Sequence, residues 1–263
     1  MRLRSIQVEP MPVIMVVVPT YNERENLPLL VDALWALLLE NLQILVVDDH
    51  SPDGTGELAD DLAAQNPGRL HVLHRTEKAG LGPAYRAGFR KALELGADYV
   101  VQMDCDFSHD PKYVPVMVKA ADAGADMVLG SRYVKGGSVD REWSVYRKLL
   151  SWFANRIYVR TILQFPVNDA TGGFRLWKGP TLVGIDLDRV RSNGYVFQVE
   201  MAYITHKLGY IIREVPVYFP ERQRGTSKMD VRIQVEAASR VFEIWKRHHR
   251  LNPSMRRTEP YSG

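Results

Sequence analysis

The chain has 263 residues, room for one embellished domain or two small ones. Hydrophobic residues at 46% and charged residues at 25% are ordinary for a globular protein and exclude a disordered or collagen-like chain. The single cysteine, Cys105, excludes an internal disulfide and fits a reducing compartment, while a net charge of +3 is too small to mark nucleic acid as the partner.

The N-terminal apolar run is too short to span a bilayer and meets proline and charges, so it reads as a buried first strand over residues 13–18. Leucines at helical spacing place a helix over 26–39. A second strand at 44–47 runs into Asp48-Asp49, followed by a short helix over 55–65 and a third strand at 70–73. A helix over 82–95 precedes a fourth strand at 99–103. Residues 111–123 and 127–129 continue the alternation. Strands separated by helices imply right-handed crossovers and a largely parallel α/β sheet. The second half is less regular: an amphipathic stretch at 144–163, a Gly-rich turn at Thr171-Gly172-Gly173, a further helix, and a strand over 211–219. Internal repeats, low-complexity linkers and apolar runs of membrane-spanning length are all missing from the sequence.

A parallel sheet invites a dinucleotide-binding reading, which fits poorly. The turn after the first strand, Pro19-Thr20-Tyr21-Asn22-Glu23-Arg24-Glu25-Asn26, has no glycine, and Gly80-Leu81-Gly82 does not complete the GxGxxG fingerprint. No GxxxxGK[ST] loop is present either. Without a phosphate cradle, a metal is the natural means of neutralising a diphosphate.

The stretch VQMDCDFSHDP supplies a candidate. Asp104 and Asp106 stand one residue apart where the fourth strand gives way to its loop, and Asp110-Pro111 reads as a helix start. Ligands of open α/β sheets bind at that edge. An Asp-x-Asp there can hold a hard divalent cation and leave positions for phosphate and water. Two exposed loop aspartates without a ligand are the competing reading. The other strand exits add Tyr21 and Glu23, then Asp48 and Asp49 beside a turn in which Asp53 reads as a cap.

VVPTYNE, VVDDHSPDGT, GLGPAYRAG, MDCDFSHDP, GSRYVKGG, DATGGFRLW, GYVFQVEM and PERQRGTSK occur in this order. Together they resemble the dolichol- or polyprenol-phosphate mannose synthases of glycosyltransferase family 2, in the forms without transmembrane helices. The resemblance implies a GT-A fold, Rossmann-like, with a mostly parallel central sheet flanked by helices and a C-terminal amphipathic helical extension. It divides the chain into a tail at 1–12, a catalytic domain at 13–229, and a basic amphipathic helix and tail at 230–263. It implies transfer of mannose from GDP-mannose to a polyprenyl or dolichyl phosphate, with inversion. Pro19, Tyr21, Glu23, Val47, Asp49 and Cys105 then belong to the donor site. Asp104 and Asp106 carry Mg²⁺ or Mn²⁺, with Ser108 a weaker ligand where relatives often have Gln. Arg132, Arg147, Arg222 and Lys228 match positions that meet the lipid phosphate or the donor, and a guanidinium fork suits phosphate oxygens. Cys105 reads as a small side chain filling a slot, and His50 and His109 as loop or cap residues.

A phosphate monoester is already anionic, its second pKa being about 6, so the implied acceptor needs no general base and none is assigned. Residues 144–163 interleave Leu149, Leu150, Trp152, Phe153, Ile157 and Tyr158 with Arg147, Lys148, Arg156 and Arg160. That pattern suits a helix lying in the membrane interface, or one packed on the core, or both on different faces. The C-terminal stretch adds Val235, Val241, Phe242, Ile244 and Trp245 to a basic run that attracts anionic lipid. The expected location is the cytoplasmic face of a membrane, held peripherally or through a membrane-protein partner. The rival readings are the same fold with another donor, such as UDP-glucose, and a nucleotide-binding scaffold without turnover.

Overall fold

A computed structural model describes residues 11–220 and 231–261, without the side chains of residues 147, 195 and 231–239. The described chain opens with β1 (Ile14–Thr20), α1 (Leu27–Trp35), β2 (Leu42–Asp48), α2 (Thr55–Gln65), β3 (Leu70–His74), α3 (Leu81–Glu94) and β4 (Tyr99–Gln102). It continues through α4 (Val114–Asp122), β5 (Met127–Ser131), β6 (Ser138–Val139), α5 (Val145–Phe153), α6 (Arg160–Leu163) and β7 (Arg175–Lys178). The last elements are α7 (Gly179–Ile185), α8 (Gly194–Lys207), β8 (Ile212–Pro216), β9 (Tyr218–Phe219) and α9 (Val231–His248).

The main sheet runs β3-β2-β1-β4-β7-β5-β8. β1 is parallel to β2 and β4, β2 to β3, and β5 to β8. Only β7 runs against its neighbours, β4 and β5. Both faces are covered, which explains the unbroken apolar run of β1. Met15 and Val17 enter the core shared with α3 and α8, while Ile14, Val16 and Val18 enter the core under α1 and α4. From β1 the chain winds outward to β2 and β3, then crosses back to lay β4 on the other side of β1. The switch point therefore lies between β1 and β4, at the edge where Asp104 begins its loop.

Several expected elements change shape. The helix expected over 26–39 ends at Trp35, and Leu38 takes a left-handed turn at φ 51°. The helix expected over 111–123 begins as a 3₁₀ turn, Pro111–Tyr113, capped by Asp110 as expected, whose side chain accepts from the Lys112 amide at 3.1 Å. The strand expected over 211–219 divides into β8 and β9, and β9 leaves the main sheet to pair with β6. The amphipathic stretch at 144–163 is α5, a π-helical segment Ala154–Val159, and α6. Its two faces do different things. Val159 and Leu163 join the core, whereas Val145, Tyr146, Leu149, Trp152, Phe153 and Ile157 are exposed, Leu149 at 62%. In α9, Val241 and Ile244 are buried against the core while Phe242 is exposed. No helix among the described residues is long and apolar enough to cross a membrane.

Candidate active site

Three neighbouring strands, β2, β1 and β4, end on one edge and release Asp49, Tyr21 and Asp104. The loop after β4 is held from several sides. Tyr85 of α3, fully buried and stacked between Phe89 and Phe197, donates its phenol to Asp104 Oδ1 at 2.7 Å. The Asp104 amide donates to His109 Nδ1 at 3.0 Å, so the proton of a neutral His109 ring sits on Nε2. Asp106 Oδ1 accepts from the Ser108 amide at 3.0 Å. Phe107 between them takes φ 58°, a strained conformation for a residue with a bulky side chain. His109 is therefore more than the loop or cap residue expected. It is buried, stacked on Phe174 at 5.1 Å and edge-on to Phe219 at 5.8 Å, and it fixes the turn that carries both aspartates.

The two carboxylates suit a divalent cation. Each has one oxygen anchored by a protein donor, and both are hard ligands. Beside them the buried Ser108 Oγ has no hydrogen-bond partner among the described residues. No group of three or more His, Cys, Asp or Glu gathers around a common point among the described residues. The protein would thus supply a small part of the coordination shell and leave the rest to phosphate and water.

On the donor side, Asp48 is consumed by structure. It accepts from Thr20 Oγ1 at 3.0 Å and from the Ser51 amide and hydroxyl at 3.0 and 2.6 Å. Asp49 is paired with Arg75. Burial pushes the Asp49 carboxyl above its ordinary value, against the pull of Arg75 and the Gly80 amide. Lys78 lies over the Tyr21 ring, its Nζ 3.3 Å from the centroid. Glu23 Oε2 accepts from Asn26 at 2.8 Å, and the Glu23 amide donates to Thr55 Oγ1 at 3.0 Å. Asp53 caps as expected, accepting from the Thr55 amide and hydroxyl at 3.0 and 2.5 Å. Pro19 is half-buried at the end of β1.

Two of the expected donor residues turn their side chains into the core. The Val47 side chain is fully buried in the core against α3, and the Cys105 thiol is buried in the opposite core. Either can meet a ligand only through its backbone. Burial raises the Cys105 thiol well above its ordinary value, and Glu23, Asp106 and Asp104 add to the effect. β1 and β4 pair side by side, so their exits lie close together.

Arg132 is engaged within the protein. Its guanidinium is already occupied: Nε and Nη2 grip Asp169 at 2.8 and 2.6 Å, and Nη2 also donates to Thr171 Oγ1 at 3.0 Å. The Arg132 side chain is 9% exposed and Asp169 is 0% exposed. Glu214 of β8 in turn accepts the Asn168 and Asp169 amides, both at 3.0 Å. A second arginine escaped sequence reasoning altogether. Arg175, fully buried at the start of β7, donates to the carbonyls of Gly172, Ala170 and Gln198 at 2.7–2.8 Å. Burial lowers it to about 9, with Asp169 pulling the other way. The DATGGFR segment held both partners, Asp169 and Arg175, and was the one signal that pointed to them. The Arg147 side chain, Arg222 and Lys228 lie outside the described residues.

A mostly parallel sheet with acidic loops at its switch point is the framework of a GT-A glycosyltransferase. Residues 15–196 match the model of Glycosyl transferase family 2, and the chain belongs to that family. It is 47% identical over 238 residues to the polyprenol monophosphomannose synthase of Mycolicibacterium smegmatis, covering 90% of this chain and 88% of that protein. It is 48% identical over 228 residues to the undecaprenyl-phosphate mannosyltransferase of Micrococcus luteus, covering 87% and 92%. Among solved structures, glucosyl-3-phosphoglycerate synthase from Mycobacterium tuberculosis, with Mn²⁺, UDP and phosphoglyceric acid, superposes with a TM-score of 0.63. That match has 17% identity and covers 90% of this chain and 78% of the other. It supports the fold, and the chain is a glycosyltransferase.

Proposed function

We propose that this glycosyltransferase moves mannose from GDP-mannose to a polyprenyl phosphate with inversion, giving polyprenyl-phosphate mannose and GDP. The observation that carries the reading is the convergence of Tyr21, Asp49 and the anchored Asp104/Asp106 pair on one sheet edge, in a chain nearly half identical to the two mannosyltransferases. Tyr21 offers a ring to the base, and Asp49 an acceptor for its N–H groups. Asp104 and Asp106, with Ser108 as a weak third ligand, would hold Mg²⁺ or Mn²⁺, which offsets the diphosphate charge. Tyr85 and His109 keep the two carboxylates in place before substrate arrives.

The lipid phosphate oxygen attacks the anomeric carbon from the face opposite the diphosphate, and the bond from that carbon to GDP breaks. The acceptor carries no proton to be removed at neutral pH, so the absence of an assigned base is consistent with the chemistry. Arg132, held rigid by Asp169, lends its charge to the acceptor side, and Arg147, Arg222 and Lys228 are proposed to complete it. The exposed apolar face of α5, with Lys148, Arg156 and Arg160 nearby in sequence, suits peripheral contact with a cytoplasmic membrane face where the lipid resides.

The test is transfer of labelled mannose from GDP-mannose into an organic-extractable polyprenyl phosphate, with and without EDTA. Label in the lipid phase that EDTA abolishes is expected. Transfer from UDP-glucose in place of GDP-mannose would overturn the donor assignment, and EDTA-resistant transfer the metal assignment.

A further inference from the structure

Glu200 of α8 is 0% exposed and lies outside the catalytic loops, yet it collects four donors. Oε1 accepts from Arg247 at 2.5 Å and from His248 Nε2 at 2.8 Å, both at the C-terminal end of α9. Oε2 accepts the backbone amides of Arg191 and Ser192 at 2.9 and 2.7 Å. A buried carboxylate is a poor way merely to fasten a helix, because apolar packing does so without the desolvation penalty. What it provides is direction: two amides are fixed relative to α9.

The next residue passes that placement on. Asn193 Oδ1 accepts from the Gly82 amide at 3.0 Å, and Nδ2 donates to the Ala79 carbonyl at 3.0 Å. The approach is so close that a Cβ on Gly80 would meet Asn193 Nδ2 at 2.6 Å, and one on Gly82 would meet the Ser192 carbonyl at 2.9 Å. Gly80 also has φ 97°, a conformation that favours glycine. Arg86 of α3 closes the arrangement by donating to the Val190 carbonyl at 2.5 Å. At its far side this loop reaches the donor edge. Arg75, just ahead of the loop, is paired with the Asp49 carboxylate, and Lys78 covers the Tyr21 ring.

We infer that Asn193 and Glu200 are positioning residues for the donor nucleotide, and that the C-terminal helix braces the nucleotide pocket through them. The path runs from Arg247 and His248 to Glu200, through the 191–192 amides to Asn193, and through the 79–82 loop to Asp49. The functional half of this inference rests on the reading of Tyr21 and Asp49 as nucleotide contacts. The mechanical half does not.

Hydrogen exchange on the ligand-free full chain tests the mechanical half. Asn193→Ala and His248→Ala are each expected to speed exchange in peptides covering residues 76–83 by about tenfold, the first by losing two neutral hydrogen bonds to the loop and the second by losing a buried bond to a carboxylate. Peptides from β1 should be unchanged, and His248→Gln, which keeps a donor, should restore the slow rate. Wild-type exchange at 76–83 in His248→Ala, or a uniform rise across the whole chain, would overturn the brace. Calorimetric titration with GDP and Mn²⁺ tests the functional half. Asn193→Ala should weaken GDP binding about tenfold while kcat at saturating donor stays within about twofold. Unchanged GDP affinity in a variant with a loosened loop would overturn the positioning role. Failure of the wild-type chain to bind GDP would instead sink the donor reading, and the exchange result would still decide the brace.

Discussion

The two halves of the sheet's working edge are built differently. The donor half grows from parallel strand ends: Asp104 and Asp106 stay partly exposed while Tyr85 holds the Asp104 carboxylate and His109 its amide, and Asp49 is buried against Arg75. The acceptor half hangs on the antiparallel β7 and on the loops before it, and its arginines are engaged internally: Arg132 by Asp169, and Arg175 by three backbone carbonyls. On the function proposed above, the donor half offers anchored carboxylates to a cation, whereas the acceptor half holds Arg132 rigidly for a phosphate. A site that must neutralise a diphosphate and also orient an anionic lipid needs both kinds of order.

The sharpest break in that comparison is Asp104→Ala. If the donor half works by gripping a cation, turnover should fall by at least about 10²–10³, the loss typical of one preorganised electrostatic element. Steady-state transfer of labelled mannose measures it, and near-normal activity would remove the metal from the donor half. Next is Asp169→Ala, which removes the carboxylate that the buried guanidinium of Arg132 grips. Breaking such a pair costs about 3–5 kcal/mol, and chemical denaturation should register it. An unchanged midpoint would mean that the Arg132 fork is not committed to Asp169 and is available to bind phosphate directly.

How much of this was legible beforehand follows the same division. The donor half could be read because a covered parallel strand is an unbroken apolar run, and the residues just past such a run must lie on the carboxyl edge. Val47 and Cys105 were placed at the right edge, but the pleat turns their side chains into the core, which position in a motif does not reveal. The acceptor half was hidden because its logic is tertiary. β7 has four residues and opens on an arginine, so no pattern marked it as a buried strand. The Arg132–Asp169 pair bridges 37 residues of sequence, and either residue alone reads as a surface charge. His109 looked like a cap because its stacking partners, Phe174 and Phe219, come from distant segments.

Tyr85→Phe sharpens the donor half further. The change removes one oxygen and leaves the stacked ring in place, so the fold should hold. Asp104 loses the donor that orients it, and losing such a supporting hydrogen bond typically costs about 10–100-fold in metal affinity. Mn²⁺ titration followed by electron paramagnetic resonance reads this without turnover. Wild-type affinity would show that Asp104 is held by its own backbone and His109 alone.

The smallest effect belongs to the outer face of the acceptor half. Deleting α9 is a poor probe of membrane contact, because Val241, Ile244 and the partners of Glu200 would go with it and the fold would suffer. Leu149→Ser with Trp152→Ser is cleaner: both side chains are exposed on α5, so little packing is lost. If that face enters a bilayer, recovery on floated anionic vesicles should fall by about fivefold, since apolar insertion and attraction of basic residues share the binding. Transfer to a short, water-soluble polyprenyl phosphate should be untouched, because neither residue lies among those holding the two acids or Arg132. Equal loss with both acceptors would place α5 within the catalytic cleft. Unchanged flotation would assign the exposed row to a protein partner.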